Sequence, residues 1–276
     1  AVSFAIPGDW EGVKQLLTVH NYRERKYFSK GFNAGSCDSY VIFDDVFVPW
    51  ERVFLCGEHQ HGGILALLFA LFHRHSYSGC KPALGDLMLG ACALVADCNG
   101  ITKAKHVTDK LAEIIKVTEL AYAAGFTGSA MGKPELYIPG VGFRPYGPGN
   151  MIPNSIYCNV GRCLTGEAVF HEQQILAELA GGMPATFPYE GEFVNPETKD
   201  LAYKYITRNQ NMSPENQAQL WRHIGDIAIS AKGACGQYGA LHGGGSPVME
   251  KIAITSQYDI DSKREMVRRI AGMTKE

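Results

Sequence analysis

Residues 71–86 read LFHRHSYSGCKPALGD, and the fold turns on whether this stretch is helix. It closes the apolar run ILALLFALF at 64–72, in which Leu65, Leu68, Phe69 and Phe72 recur at helical spacing. On a helix, positions i, i+4, i+7 and i+8 share one face. His73, Tyr77, Cys80 and Lys81 have that spacing, so an imidazole, a phenol, a thiol and an amine fall on a single stripe. His75 points roughly 200° around the helix from His73 and does not belong to it. The helix is expected to begin near Gly62 and to break or kink near Gly79 and Pro82, because proline removes a helical N–H and crowds the preceding turn.

Upstream, residues 1 to about 55 read as strands and turns. AVSFAIP and SYVIFDDVFVP carry the β-branched and aromatic residues that strands favour, with Gly and Pro between them. AVSFAIP alternates like a strand already in progress, so the chain is expected to be a piece of something longer. Downstream, a second helix is expected over 84–97. A third, over 103–124, shows 3.6-residue periodicity in KLAEIIKVTELAY. GSAMGKPELYIPGVGFRPYGPGNMIPN, at 128–154, should form a long ordered loop, with Tyr137, Phe143 and Tyr146 arguing against disorder. Helices then resume over 160–179, 200–206, 215–238, 248–254 and 262–271. Ser213, followed by Pro214 and Asn216, marks a helix start. The outline is a mainly α chain: the end of a middle, β-barrel-like domain at 1–57, then an antiparallel helical bundle at 58–276.

Composition sets the outer limits. The 276 residues are 46% hydrophobic and 20% charged, with net charge −2 and no Lys/Arg run, which fits a soluble globular protein and gives no sign of a nucleic-acid or polybasic membrane partner. The apolar run 64–72 is too short to cross a bilayer. Eight cysteines without a regular framework argue against a secreted disulfide scaffold and for a reducing cytoplasm. Cys37, Cys56, Cys92, Cys98, Cys158, Cys163 and Cys235 each read as buried small hydrophobes. No Cys-x-x-Cys or Cys-x-x-x-Cys occurs.

Two stretches carry a resemblance. VIFDDVFVPWERVF at 41–54, followed by long helices and HEQQILAELAGG at 171–182, resembles the acyl-CoA-dehydrogenase-like flavoproteins, in their 4-hydroxyphenylacetate hydroxylase branch. Within that branch, His-x6-Cys-Lys in HRHSYSGCK at 73–81 resembles the 4-hydroxybutyryl-CoA dehydratase/vinylacetyl-CoA Δ-isomerase family. The resemblance implies a bundle of the acyl-CoA dehydrogenase type, an N-terminal helical domain lying outside this chain, FAD, and a [4Fe–4S] cluster. His73 and Cys80 match two of the cluster's ligands; the other two are implied in the N-terminal half. Residues seven apart on a helix are separated by roughly 10 Å. That is too far for one zinc ion with ligands at about 2.0–2.3 Å, but suits two irons of one cube.

The same resemblance implies that Gln173, Gly181 and Gly182 approach flavin and that Asp38 lies close to substrate. LHGGGSP at 241–247 resembles a loop near the family's active site, although a plain helix–helix turn explains its glycines equally well. A family carboxylate expected just before that loop is missing, since the stretch reads GQYGA at 236–240. The implied reaction converts 4-hydroxybutyryl-CoA to crotonyl-CoA, with vinylacetyl-CoA isomerisation. His73 would take the α proton, an iron would act as Lewis acid for the departing hydroxyl, and Tyr77 and Lys81 would bind substrate or flavin. The implied partners are a short-chain hydroxyacyl-CoA, an N-terminal half, and further copies of the chain in a tetramer. Two rival readings remain: a flavin-dependent hydroxylase of phenols, and a truncated non-catalytic subunit.

Overall fold

The computed structural model describes residues 1–19, 26–28, 37–138, 142–145 and 149–274. Helix dominates. Near the N-terminus, β1 (Val2–Phe4) pairs antiparallel with β4 (Val53–Cys56), and β2 (Val13–Val19) pairs antiparallel with β3 (Cys37–Phe43) in unbroken register. Among the described residues these pairs do not close into a barrel. Then come α1 (His59–Cys98), α2 (Lys105–Ala130), α3 (Ser155–Ala180), α4 (Met183–Thr186), α5 (Lys199–Ile206), α6 (Pro214–Ala228), α7 (Ala231–His242), α8 (Pro247–Gln257) and α9 (Ile260–Ile270).

Packing divides the chain into two compact units. The first holds Ala1–Phe69, Leu87–Ile114 and Phe170–Gly239; the second holds Ala70–Asp86, Ile115–Val169 and Ala240–Glu276. Helices α2 and α3 contribute a segment to each, while α1 contributes its middle to the second and both its ends to the first. In the first unit, Cys92 and Val95 of α1, Ile114 of α2, Leu176 of α3 and Trp221 and Ile224 of α6 form the core.

Two expected boundaries are corrected. Helix α1 continues through Gly79 and Pro82 as one 40-residue helix, because α2 clamps it on both sides of the proline. A Cβ on Gly125 would lie 2.2 Å from the Ser78 side chain, and one on Gly85 would lie 2.2 Å from Thr118 Oγ1. The backbones approach so closely there that tertiary packing overrides the local cost of Pro82. The apolar run 64–72 thus belongs to a helix long and apolar enough for a bilayer. Leu68, Leu71, Met88, Cys92 and Val95 along it are nevertheless buried in protein, as in a core helix.

Conversely, the helix expected over 215–238 is two. Ser230 Oγ accepts from Gly233 N at 3.0 Å, capping a fresh helix three residues on. Ser213 caps α6 as expected, accepting from Asn216 N at 3.2 Å. The long loop contains a hairpin, β5 (Glu135–Ile138) with β6 (Gly142–Pro145), which pairs Tyr137 with Phe143. Tyr146 lies outside the described residues. Cys56 is exposed and Cys235 only half-buried, contrary to the reading of both as core; Cys92, Cys98, Cys158 and Cys163 are buried. Cys37 has no described side chain.

Gln217 organises the segment before α6. It is fully buried, accepts from the backbone of Arg208 at 2.7 Å and Asn209 at 3.3 Å, and donates to the carbonyls of Asn209 at 2.8 Å and Met212 at 2.7 Å. Gln217→Leu keeps the bulk but strands backbone groups, each costing about 1–3 kcal/mol when unpaired in the interior. Denaturant titration should show a loss of at least about 3 kcal/mol. A loss under about 1 kcal/mol would mean that the 208–212 segment finds other partners.

Candidate functional site

The second unit holds the stripe. Along α1 the His73 and Tyr77 ring centroids are 5.0 Å apart, and Lys81 Nζ lies 4.8 Å from the Tyr77 ring. His73, Tyr77 and Lys81 are half-buried, while Cys80 is exposed, its Sγ 4.0 Å from the Tyr77 carbonyl. The helix therefore places all four side chains together on a face that is neither core nor fully solvated. His75 faces elsewhere: its Nδ1 is 3.4 Å from Cys158 Sγ and its Nε2 is 3.0 Å from Ser129 Oγ. Burial pulls the His75 pKa down and pushes the Cys158 thiol up to about 12, so Cys158 is an inert thiol.

Beneath Tyr77 lies a cluster of buried charge. Arg74, Arg162 and Glu250 are 7%, 1% and 0% exposed. Arg162 donates from Nε to Gly243 O at 3.1 Å, and from Nη2 to Leu241 O at 2.9 Å and Gly243 O at 2.7 Å. Its Cζ lies over the Tyr77 ring, 4.7 Å from the centroid. Arg74 donates from Nε to Gly244 O at 2.9 Å and from Nη1 to Asn159 Oδ1 at 2.7 Å. Glu250 Oε1 is 3.6 Å from Arg162 Nε, an ion pair with no hydrogen bond, and neither carboxylate oxygen has a hydrogen-bond partner among the described residues. Burial raises the Glu250 pKa, opposed by the two guanidiniums; burial likewise raises that of Tyr77 and lowers that of Arg74.

The glycine loop between α7 and α8 is thus more than a turn. Gly244 and Gly245 adopt φ of +94° and +109°, a region that side chains avoid. A Cβ on Gly244 would lie 2.9 Å from Tyr77 Cε2. None of Arg74, Arg162, Asn159 or Glu250 was singled out from the sequence. The one available signal was an arginine set among the apolar residues of VGRCL at 160–164.

The remaining sequence-derived residues lie in the first unit. Asp38 is exposed on β3, where Thr18 Oγ1 donates to its carbonyl at 2.9 Å. Gly181, with φ of +62°, ends α3 as a left-handed cap. Gly181 and Gly182 are exposed, and the space where a Cβ would stand on each is open. Gln173 is half-buried, and Gln174 Nε2 donates to Glu178 at 2.9 Å.

As metal donors, His73 and Cys80 make a soft–borderline pair suited to iron. Among the described residues no group of three or more His, Cys, Asp or Glu converges as an ion would need. His73 and Cys80 would be two of a cluster's ligands, and among the described residues they do not make up a mononuclear site.

Comparison with known proteins bears on the family and the fold. The family described as 4-hydroxyphenylacetate 3-hydroxylase C terminal matches residues 63–272, and its N-terminal counterpart matches residues 1–55. A 4-hydroxybutyryl-CoA dehydratase/vinylacetyl-CoA-Δ-isomerase from Clostridium aminobutyricum is 31% identical over 99% of this chain and 56% of its own. An oxygen-tolerant archaeal 4-hydroxybutyryl-CoA dehydratase from N. maritimus superposes with TM-score 0.88 at 28% identity, covering 100% of this chain and 54% of that one. The oxygenase component of 4-hydroxyphenylacetate 3-monooxygenase, solved with FAD and 4-hydroxyphenylacetate, superposes with TM-score 0.82 at 23% identity over 98% of this chain and 55% of that one, which speaks for the fold. The chain spans about half the length of these relatives. With the C-terminal match alone running over residues 63–272, the chain belongs to the 4-hydroxyphenylacetate 3-hydroxylase family and has its acyl-CoA-dehydrogenase-like helical fold.

Proposed function

We propose that this chain forms the greater part of a 4-hydroxybutyryl-CoA dehydratase with vinylacetyl-CoA Δ-isomerase activity, its residues 1–57 completing a middle domain and 58–276 forming the bundle. The observation that carries the reading is the accessible pair His73 and Cys80 on one face of α1, with Tyr77 and Lys81 beside them. FAD would supply one-electron redox chemistry at the acyl chain, and a [4Fe–4S] cluster would supply a Lewis-acidic iron for the 4-hydroxyl.

His73 and Cys80 would hold that cluster from this chain, with an N-terminal half giving the other two ligands. Gln173, Gly181 and Gly182 would line the flavin. His73 takes the proton from the α carbon of the thioester, Tyr77 and Lys81 hydrogen-bond substrate or flavin, and Asp38 lies close to the substrate. Large exposed apolar residues such as Phe126 (70% exposed) and Ile270 (80%) favour assembly, in our reading as a tetramer. The natural compartment is the cytoplasm.

The test is an iron and acid-labile sulfide assay on the full-length protein, together with turnover of 4-hydroxybutyryl-CoA to crotonyl-CoA and water. Cluster iron with crotonyl-CoA formation is expected. An iron-free flavoprotein that hydroxylates a phenol would instead establish the second reading, which the fold shared with the monooxygenase supports. Light scattering should report a tetramer; a monomer with flavin at full occupancy would remove the assembly part.

A further inference from the structure

Tyr77 is held from more sides than a substrate-binding tyrosine on a helix face requires. The guanidinium of Arg162 lies 4.7 Å from its ring, and Lys81 Nζ lies 4.8 Å from it. The His73 ring is 5.0 Å away along α1. At the ring edge, Gly244 leaves no space for even a Cβ, which would come within 2.9 Å of Cε2.

The loop that presents Gly244 is itself fixed by the same arginine. Arg162 spends three hydrogen bonds on the carbonyls of Leu241 and Gly243, and Arg74 holds that of Gly244. Arg162 thus sets both the surface under the ring and the wall beside it. A lysine cannot replace this function, because its single ammonium lacks the fork of donors that serves two carbonyls while the cation lies over the ring. Glu250, fully buried at 3.6 Å from Nε, is the counter-charge that keeps the guanidinium in the interior.

Resting on the reading that Tyr77 works in the site, we propose that Arg162 is a positioning residue: through the ring and the 241–245 loop it fixes where the Tyr77 hydroxyl meets substrate, with Glu250 as its buried partner. It touches no reacting atom itself.

The consequence is an effect transmitted through one hydroxyl. Arg162→Lys retains a cation for Glu250 but loses the fork. In the full-length enzyme, with rates expressed per bound flavin, kcat should fall about 10- to 100-fold while KM changes less than about threefold, as for a reacting group displaced by a fraction of an ångström. Tyr77→Phe keeps the ring and its contacts and removes only the hydroxyl. In that background Arg162→Lys should cost less than about threefold, because the group it positioned is gone. Should Arg162→Lys fold poorly, Gly244→Ala disturbs the ring at its edge with every charge in place, and should show the same loss and the same dependence on the hydroxyl. A full loss from either variant in the Tyr77→Phe background would overturn the positioning role alone. Unchanged turnover in Tyr77→Phe itself would overturn it together with the assignment of Tyr77 to the site.

Discussion

Cys80→Ala should leave a full-length protein that binds flavin and has lost its cluster, with iron and acid-labile sulfide down by more than about tenfold, since altering even the partners behind a metal ligand can cost 10- to 100-fold in affinity. The expectation follows from how α1 distributes its thiols. Cys80 is exposed on the stripe, whereas Cys92 and Cys98 are buried in the first unit's core, where desolvation pushes the Cys92 thiol up to about 12. Neither can move to take over, and a buried thiol that far from ionising is a poor ligand. Lys81→Ala is the matched control. Its ammonium lies against the Tyr77 ring and has no lone pair for iron, so iron and sulfide should stay at wild-type levels while turnover falls. Because Cys80 is exposed, with its Sγ 4.0 Å from the Tyr77 carbonyl, its truncation should cost little stability. Metal loss therefore cannot be attributed to unfolding. Full iron and sulfide in Cys80→Ala would remove Cys80 from cluster ligation.

What the sequence made legible, and what it did not, follows from the range of the forces involved. The stripe was readable because helical periodicity is local: the spacing of His73, Tyr77, Cys80 and Lys81 alone puts them together, and it also turns His75 away toward Cys158 and Ser129. The cluster beneath them was not, because Arg74, Arg162 and Glu250 come from α1, α3 and α8, and nothing in a window around any one of them announces the others. A lone arginine or glutamate on a helix ordinarily reads as a solvated charge; only the fold shows these to be buried. Proline was misread for a related reason. The break expected at Pro82 is a local effect, overruled by the close approach of α2 at Gly85 and Gly125. At Ser230, by contrast, a local cap prevailed where helical periodicity suggested continuity. The glycines of LHGGGSP stayed ambiguous until Tyr77 was found against them, since a turn and a close approach to a side chain call for the same residue.

His73 carries the most demanding assignment, because it is given two tasks that conflict. An imidazole that ligates iron has its lone pair occupied and cannot accept the α proton with the same nitrogen. Both tasks fit one residue only if the bond to iron is weak and yields when substrate arrives. His73 is half-buried, and its ring lies 5.0 Å from that of Tyr77. His73→Cys separates the tasks. A thiolate is a standard cluster ligand that binds iron firmly, so iron and acid-labile sulfide should remain near wild type. As a ligand held in place it offers no base to the α carbon. Deuterium incorporation from D₂O into butyryl-CoA, which lacks the 4-hydroxyl and cannot lose water, should then fall by about 10²–10⁴-fold, the contribution of a positioned general base. Reading exchange rather than product isolates proton removal from every later step. Wild-type exchange in an iron-replete His73→Cys protein would strip His73 of the base role and leave it a ligand. Loss of iron together with exchange would show that the imidazole, and not merely a donor at this position, is what the cluster requires.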